Sequence, residues 1–416
     1  MKRLVVLLVA LGGLQACQRH AADRTWLGPV TAVEAPAAAG SRFPNLAGGG
    51  DGPVVMSWLQ PGQGPEYTLK YAEWSNRGLG FSKTWETART VASGADWFVN
   101  WADFPSVVPV TDRIWAAHWL QQKPGDVYAY DVRIAISGNG GRRWSAPISP
   151  HDDGTPTEHG FVTLLRNGDE RIRAIWLDGR HTQGEHDHAP KPGTQSGAMT
   201  LRTADIDASG RRIGTDRELD ARVCDCCQTD AAVISDATIV VYRDRSSDEV
   251  RNIRAMRIDA TGETSSVPVH EDGWRIAACP VNGPAIAARG ALLAVAWFTA
   301  PDVPRVRLAF SADGGRSFEA PIEVASGKVA GRVDLALLDD GRAIISWLTE
   351  GPSGAEIRVQ PFTDRGAAGP AVTIARIGLS RASGFPQMVR AGPDLLFAWT
   401  ETGDPPRVRT AFAPLL

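Results

Sequence analysis

The amino-acid sequence predicts an all-β protein, a single β-propeller of seven four-stranded blades, and two markers that repeat in register carry this prediction. A strand that ends in an aromatic residue recurs along the 416 residues at intervals of 50 to 66 residues. These aromatic residues are Trp58, Trp119, Trp176, Tyr242, Trp297, Trp347 and Trp399. The next strand of each unit carries a basic residue after an apolar one; these are Lys70, Arg133, Arg202, Arg254, Arg307, Arg358 and Arg409. Supersecondary units that repeat at such a period are typical of propellers.

Prolines mark the first and fourth strands of the units. Phe43, Phe104 and Phe385 each precede a proline at the start of a short apolar strand. Fourth strands are expected after Pro147, Pro268, Pro321 and Pro370. The chain stops after the third strand of the last unit, so we expect residues 29–33 to supply the missing strand and close the ring.

The first residues have the pattern of a targeting segment. Lys2 and Arg3 precede an apolar run over residues 4–14, which has the length of a signal-peptide core and is too short to span a bilayer. The residues before Cys17 resemble a bacterial lipobox, which implies a lipid on Cys17; an ordinary secretory signal is the alternative. We therefore expect a signal peptide over 1–16, a tether over 17–25 and a propeller over 26–416. The expected location is the cell envelope, most often the outer membrane, facing the periplasm or the cell surface.

Composition narrows the class of partner. Lys and Arg number 44 against 47 Asp and Glu, so no basic excess exists to hold a nucleic acid. Hydrophobic residues make up 43% and charged residues 22%, which excludes a long disordered chain and a multi-span membrane protein. We expect a monomer that contacts the membrane only through its lipid.

Two turns carry a further motif. Residues 137–144 and 311–318 read Ser-Gly-Asn-Gly-Gly-Arg-Arg-Trp and Ser-Ala-Asp-Gly-Gly-Arg-Ser-Phe, with a degenerate third copy at 75–85. These turns resemble the Asp-box (BNR) repeat of sialidases, in which an Asp or Asn side chain binds backbone amides and Gly takes a positive φ. The resemblance supports the propeller fold. Because sialidase propellers have six blades, it also leaves six as the alternative to seven.

Unusual polar residues gather on the rim opposite these turns. The loops before the first strands and those after the second strands emerge on that rim, which is where propellers usually bind ligands. The candidate ligand-binding residues there are Trp101, Glu158, His159, Arg180, Arg243 and Asp244.

The sialidase resemblance also implies a mechanism. Its members hold a substrate carboxylate with three arginines and use an Asp as acid/base and a Tyr paired with a Glu as nucleophile. Arg42, followed by Phe-Pro, resembles the early clamp arginine of the family. By blade order, Asp103 is the candidate acid/base, and Arg245 and Arg332 complete the clamp. The late tyrosine is missing, because the corresponding position is Phe385.

Four cysteines follow the targeting segment: Cys224, Cys226, Cys227 and Cys279. In an oxidising compartment they predict two disulfides, and because neighbouring cysteines pair only with strain, Cys226 and Cys227 should reach separately to Cys224 and Cys279. The alternative is a thiolate site for copper or zinc, with a ligand from His181, His186 or His188.

These observations support three functional hypotheses. The first is an exo-glycosidase that acts on sialic-acid-like or other acidic glycans. The second is a non-catalytic propeller that binds a glycan or a protein, and the third is a Cys/His metal-binding propeller. The expected ligand is a carbohydrate or another small acidic molecule.

Overall fold

The fold was analysed in a computed structural model, which describes residues 25–50, 52–75, 83–125, 127–182 and 197–416. These residues form seven antiparallel sheets, and each first strand contacts the first strands or neighbouring strands of the adjacent sheets around a central axis. The predicted seven-bladed β-propeller is therefore confirmed, and the six-bladed alternative is wrong. No helix within the described ranges is long and apolar enough to cross a membrane.

Blades 1 to 4 follow one another along the chain. Blade 1 contains Arg42–Gly48, Val54–Pro61, Tyr67–Ser75 and Arg89–Gly94, with a short Thr84–Trp85 strand beside the third. Blade 2 contains Ser106–Pro109, Trp115–Gln122 and Tyr130–Ser137, and a bridge between Ile134 and Ile148 stands where a fourth strand would pair. Blade 3 contains His159–Arg166, Arg171–Asp178, Thr200–Asp207 and Arg212–Asp220. Blade 4 contains Asp230–Ile234, Ala237–Arg243, Ile253–Asp259 and Thr264–His270.

Blades 5 to 7 complete the ring. Blade 5 contains Ala285–Arg289, Leu292–Thr299, Arg305–Ser311 and Ile322–Ser326. Blade 6 contains Val329–Leu337, Ala343–Gly351, Gly354–Thr363 and Val372–Ile377, with a short Gly366–Ala367 strand. Blade 7 contains Gln387–Ala391, Asp394–Glu401 and Arg407–Pro414, and a single 3-10 turn at Arg381–Ser383 precedes it.

The N-terminal strand closes the ring as the sequence predicts. Thr31–Val33 pairs antiparallel with Arg407–Pro414, and Ala32 faces Ala411. Trp26 is buried between blades 6 and 7 and donates from Nε1 to the carbonyl of Pro370 at 2.8 Å. The first and last segments of the propeller are thus joined by both main-chain pairing and packing.

The aromatic markers lie in the core because each second strand has neighbours on both faces. Trp58, Trp176 and Trp297 are fully buried, and all seven markers are at most 9% exposed. Burial of a large apolar side chain contributes about 2 kcal/mol. The same repeat that identifies the fold in the sequence therefore also stabilises it.

The two motif turns have closely similar hydrogen bonds. In the first, the Asn139 carbonyl oxygen accepts the amide of Arg143, and the Ser137 hydroxyl accepts the amide of Gly141. In the second, Asp313 accepts the amides of Arg316 and Ser317. Gly141 has a φ of 75°, and a Cβ there would lie 2.7 Å from the Tyr71 hydroxyl. Only glycine fits this position.

The first strands surround an axial cavity of about 280 Å³. Every first strand contributes to its lining, and one lining residue from each strand, in blade order, is Asn45, Ser106, Thr163, Asp230, Ala285, Asp334 and Gln387. Asp230 accepts the amide of Ile286 at 2.8 Å, and Asp334 accepts that of Met388 at 2.6 Å. These bonds join neighbouring blades. Burial raises the pKa of Asp230 to about 6 and that of Asp334 to about 7.

Candidate functional site

The first strands share an uncommon backbone conformation at or just before their starts. Phe43, Phe161, Val281 and Arg332 all have φ between 47° and 55°, in the left-handed region that side chains other than glycine rarely adopt. Side chains of the preceding blade bind three of their amides. Thr400 accepts from Phe43 at 3.0 Å, Asp103 from Phe161 at 2.8 Å and Asn282 from Arg332 at 2.7 Å. Strain held in this way is typical of ligand-binding sites.

Asp103, Tyr130 and Glu158 form a carboxyl–phenol cluster on this rim. The Tyr130 hydroxyl lies 2.6 Å from Oε1 of Glu158 and 3.2 Å from Oδ2 of Asp103. Tyr130 is fully buried and Asp103 is 2% exposed, whereas Glu158 is partly exposed. Burial raises the pKa of Asp103 to about 7, and burial with the nearby Asp103 and Asp225 carboxyls raises that of Glu158 to about 8. The cluster therefore retains protons at neutral pH.

Asp225 lies beside this cluster within an ion-pair network. Both of its oxygens accept from Nη1 of Arg245, at 2.8 and 2.9 Å. The same guanidinium binds Glu249, which also accepts from Arg251 at 2.7 Å. Arg245 is thus held between two carboxyl groups, those of Asp225 and Glu249, by charge-assisted hydrogen bonds.

Trp101, Arg332, Arg381 and Phe385 form an arginine–aromatic cluster. The rings of Trp101 and Phe385 stack with centroids 5.8 Å apart, and the guanidinium carbons of Arg332 and Arg381 lie 5.0 and 5.8 Å from the Trp101 centroid. Arg332 donates to the Gly384 carbonyl at 2.6 Å and to the Ser383 hydroxyl at 3.1 Å. Within the described ranges, neither guanidinium has a carboxylate at salt-bridge distance. Burial, with Arg381 nearby, lowers the pKa of Arg332 to about 10.

The four cysteines form two disulfides, Cys224–Cys227 and Cys226–Cys279. Cys226 and Cys227 reach separate partners, which confirms the disulfide prediction. The second bond joins the loops that precede the first strands of blades 4 and 5. Because disulfide sulfurs are not thiolates, these cysteines offer no thiolate set to copper or zinc. Their structural effect is to hold the loop that carries Asp225.

His159 lies behind Glu158 in a hydrogen-bond network. Its Nδ1 lies 3.1 Å from the Tyr130 carbonyl oxygen and 3.0 Å from that of Thr157, and its Nε2 lies 3.1 Å from Asp153. Burial opposes a charge on His159, but Asp153 and Asp178 raise its pKa overall. Arg180 binds Asp178 through two hydrogen bonds of 2.7 Å. His159 and Arg180, both proposed from the sequence as ligand-binding residues, therefore support the loop that carries Glu158.

His151 and His159 cannot bind one metal ion together. His151 and His159 stack in parallel, with centroids 3.9 Å apart and planes 4° apart, so their lone pairs point side by side and cannot converge on one ion. The carboxyl group of Asp131, which lies beside these histidines, is paired with the Lys123 ammonium at 2.8 Å. His181 is exposed, with Nε2 3.9 Å from Glu218, and the other two candidates, His186 and His188, lie outside the described residues.

The remaining predicted residues have varied surroundings. Arg42 is partly exposed at the start of blade 1, with its guanidinium carbon 6.0 Å from the Phe43 ring. Arg243 is buried and donates to the carbonyls of Asn282, Arg251 and Phe298, which places it inside the propeller and away from the rim surface. Asp244 accepts the amide of Arg245. Cys17 lies outside the described residues.

Two residues of the site were not found from the sequence. Tyr130 opens the third strand of blade 2, where it reads as one more buried aromatic, and no spacing rule connects it with Asp103 and Glu158. Arg381 lies in the 3-10 turn before blade 7, where a single arginine in a Ser-Arg-Ala-Ser-Gly segment carries no motif. The fold alone brings both to the rim.

Comparisons with known proteins support the fold. No protein-family model matches the sequence, and no curated protein matches it. The chain is similar to a solved protein of unknown function from Dyadobacter fermentans, with 13% identity, a TM-score of 0.52 and coverage of 94% of this chain and 100% of that chain. A mutant of the NanB sialidase from Streptococcus pneumoniae matches at 8% identity and a TM-score of 0.47, covering 87% of this chain and 83% of that one. A leech intramolecular trans-sialidase matches at 10% identity and a TM-score of 0.47, covering 93% of this chain and 91% of that one. At 13% identity the likeness to the Dyadobacter protein shows the fold alone, and nothing is argued from the two matches with a TM-score of 0.47.

Proposed function

We propose that this protein is an exo-acting glycoside hydrolase of acidic glycans, including glycans that end in sialic-acid-like sugars. Its main support is the arginine–aromatic cluster, in which Arg332 and Arg381 flank Trp101 without a carboxylate partner among the described residues. A buried guanidinium without a counter-ion is costly unless a ligand supplies one. A planar carboxylate suits arginine donors, and an aromatic ring offers a stacking face to a sugar.

Two further carboxyl groups, those of Glu158 and Asp225, supply the two roles that glycoside hydrolysis needs. Glu158 is protonated at neutral pH because burial raises its pKa to about 8, so it acts as the general acid towards the leaving oxygen. Asp225, paired with Arg245, acts as the second carboxyl group, which stabilises positive charge on the sugar or accepts a proton from water. The sequence pointed to Asp103 as the acid/base, but Asp103 lies behind Tyr130 and away from solvent, so Glu158 takes that role here.

The binding test compares an acidic sugar with its methyl ester. We expect tryptophan fluorescence or calorimetry to detect N-acetylneuraminic acid or glucuronic acid and to show much weaker binding of the matching ester, because only the acid pairs with the arginines. Arg332→Gln should weaken binding of the acid by about tenfold or more and leave ester binding nearly unchanged. Arg409→Gln is the matched control, because Arg409 pairs with Glu401 on an exposed strand. Equal binding of acid and ester would overturn the carboxylate subsite.

The catalytic test uses fluorogenic sialosides and uronides. Glu158→Gln should lower kcat about 100- to 10,000-fold, as expected for loss of a general acid. Activity of the parent protein should fall as the pH rises through about 8, because Glu158 then loses the proton that it must donate. Acid-specific binding without any turnover would favour the non-catalytic glycan-binding alternative.

We further propose that the chain is held at the bacterial cell envelope by a lipid on Cys17, with the propeller facing the oxidising side. The lipobox-like sequence before Cys17 supports an anchor. Two disulfides fit an oxidising compartment. Radiolabelled palmitate should enter the parent protein and not Cys17→Ser; equal labelling of both would contradict the anchor.

A further inference from the structure

We propose that Asp103, Tyr130 and Glu158 form a chain along which a proton moves, so that buried Asp103 stores the proton that Glu158 gives to a ligand at the rim. The role towards a ligand rests on the proposed hydrolase function. The proton chain itself is a property of the ligand-free protein. Glu158 is the catalytic residue of this scheme, and Tyr130 and Asp103 are positioning residues that act through it.

The number of hydrogen bonds requires an extra proton in the carboxyl–phenol cluster. A phenol has one proton and donates it to one acceptor at a time. Yet the Tyr130 oxygen lies at hydrogen-bond distance from two carboxyl oxygens, 2.6 Å from Glu158 and 3.2 Å from Asp103. The second contact is a hydrogen bond only if one carboxyl is protonated and donates to the phenol oxygen. Three oxygens in a row therefore share two protons.

The difference in burial gives the proton chain an outer end at Glu158 and an inner end at Asp103. Glu158 is partly exposed at the rim, whereas Tyr130 is fully buried and Asp103 is 2% exposed. Asp103 also lines the axial cavity, and its other oxygen accepts the amide of Phe161 at 2.8 Å. Tyr130 is fixed in turn, because its ring stacks on Phe98 with centroids 4.1 Å apart. Glu158 thus contacts solvent or ligand, and Asp103 holds the inner end.

The neighbouring charges favour sharing a proton over losing it. Glu158 faces the carboxyls of Asp103 and Asp225, both of which disfavour its ionised form. Arg245 is already engaged by Asp225 and Glu249, and His159, behind the loop, is engaged by Asp153 and Asp178. No arginine, lysine or histidine within the described ranges forms a salt bridge with Asp103. Asp103 therefore keeps its proton without a paired cation among the described residues.

The proposed steps conserve protons. The Asp103 carboxyl gives its proton to the Tyr130 oxygen as the Tyr130 hydroxyl gives its own to Glu158, and Glu158 gives that proton to the leaving glycosidic oxygen as the bond to the sugar carbon breaks. Asp103 and Glu158 are then both carboxylates, and the Tyr130 phenol keeps the remaining proton. The water that attacks the sugar carbon releases one proton, which returns to the cluster by the reverse path. The net reaction is addition of water across the glycosidic bond.

The test is an infrared titration of carboxyl groups in the full-length, ligand-free protein. Asp103→Asn and Glu158→Gln assign the two bands. In the parent background, we expect Glu158→Gln to move the Asp103 midpoint by about one pH unit or more, as coupled sites require. In the Tyr130→Phe background, which preserves the ring stack, the same substitution should have little effect.

Tyr242→Phe is the matched control. It removes another buried phenol, bonded to Asp220 at 2.7 Å, and should leave the Asp103–Glu158 coupling intact. Undiminished coupling in Tyr130→Phe, or two carboxyls that titrate near their ordinary values in the parent protein, would overturn the chain. If Tyr130→Phe does not fold, an unchanged Glu158 midpoint in Asp103→Asn would overturn the chain, because linked carboxyls must titrate together.

The outcomes separate the chain from the hydrolase function. Coupled infrared midpoints without turnover of any acidic glycoside would support the proton chain and reject the proposed hydrolase function. Turnover without coupling would do the reverse. If both hold, Tyr130→Phe should also shift the basic limb of the pH dependence of kcat, which loss of packing alone would not move.

Discussion

At the scale of single residues, the surroundings of each carboxyl decide its protonation. Asp103 is buried and Asp334 is half-buried, each accepts backbone amides, and neither has a paired cation among the described residues, so removal from water raises the pKa of each to about 7. Burial alone would also raise the pKa of Asp153, but hydrogen bonds from His151 and His159 lower it overall. The same residue type thus acts as a proton store in one blade and as a fixed anion in the next.

Asp334→Asn should change how stability depends on pH. Folded Asp334 binds a proton between pH 3.8 and about 7, whereas the unfolded chain does not, so this group stabilises the fold at low pH and loses that contribution as the pH rises through about 7. The free energy of unfolding should therefore fall by about 1.4 kcal/mol for each pH unit in this window because of Asp334 alone. In Asp334→Asn that part of the slope should vanish, as measured by urea unfolding at a series of pH values.

Asp169→Asn is the control for this measurement, because the Asp169 side chain is 92% exposed. It should leave the slope unchanged. An identical slope in Asp334→Asn and the parent protein would show that Asp334 titrates as an ordinary exposed carboxyl.

At the scale of elements, the two disulfides have different effects although they share one loop. Cys224–Cys227 closes a separation of 3 residues within the loop before blade 4. Cys226–Cys279 closes 53 residues and joins that loop to the one before blade 5. The short bond shapes the turn that carries Asp225, and the long bond links two blades.

Removing the long disulfide should cost more stability than removing the short one. The entropy of closing a loop grows with its length, which gives about 4 kcal/mol for 53 residues and about 2 kcal/mol for 3. We expect the double variant Cys226→Ser/Cys279→Ser to unfold at a lower urea concentration than Cys224→Ser/Cys227→Ser. Each pair is the control for the other, and equal losses would mean that residual structure in the unfolded chain offsets the entropy.

At the scale of the whole molecule, closure of the ring covers a sheet edge. Without Thr31–Val33, the strand Arg407–Pro414 would present unpaired main-chain groups to solvent. Exposed edges of this kind invite pairing with other chains. The segment before the closing strand also buries Trp26 and Leu27 beside blades 6 and 7.

A chain that begins at residue 34 should be less stable and should self-associate, compared with one that begins at Thr25. Size-exclusion chromatography and thermal unfolding measure the two effects. Trp26→Ala separates packing from pairing: it should lower the Tm and leave the protein monomeric, because the closing strand remains. A monomeric, fully stable chain from residue 34 would show that the strand does not close the ring in solution.

The fold could be predicted from the sequence because its signals are local and repeated. Trp176 or Trp297 alone says little, but seven buried aromatics in register with seven basic residues leave few architectures. Ring closure followed from counting strands, and the disulfides followed from the strain of pairing Cys226 with Cys227. Strand order also predicts that Glu158 and Arg332 share one rim, because the loops before the first strands emerge there.

The sequence by itself determined the all-β class, the propeller architecture and the closing strand, and it favoured seven blades over six. Only the tertiary structure decided which of those residues meet: Tyr130 between Asp103 and Glu158, Arg381 beside Arg332 over Trp101, and Arg243 in the interior. The reason is physical. Repeats and strand order are short-range patterns, whereas contacts across the rim join blades far apart in the chain and depend on loop conformations, such as the left-handed backbone at Phe161 and Arg332, that no local pattern specifies.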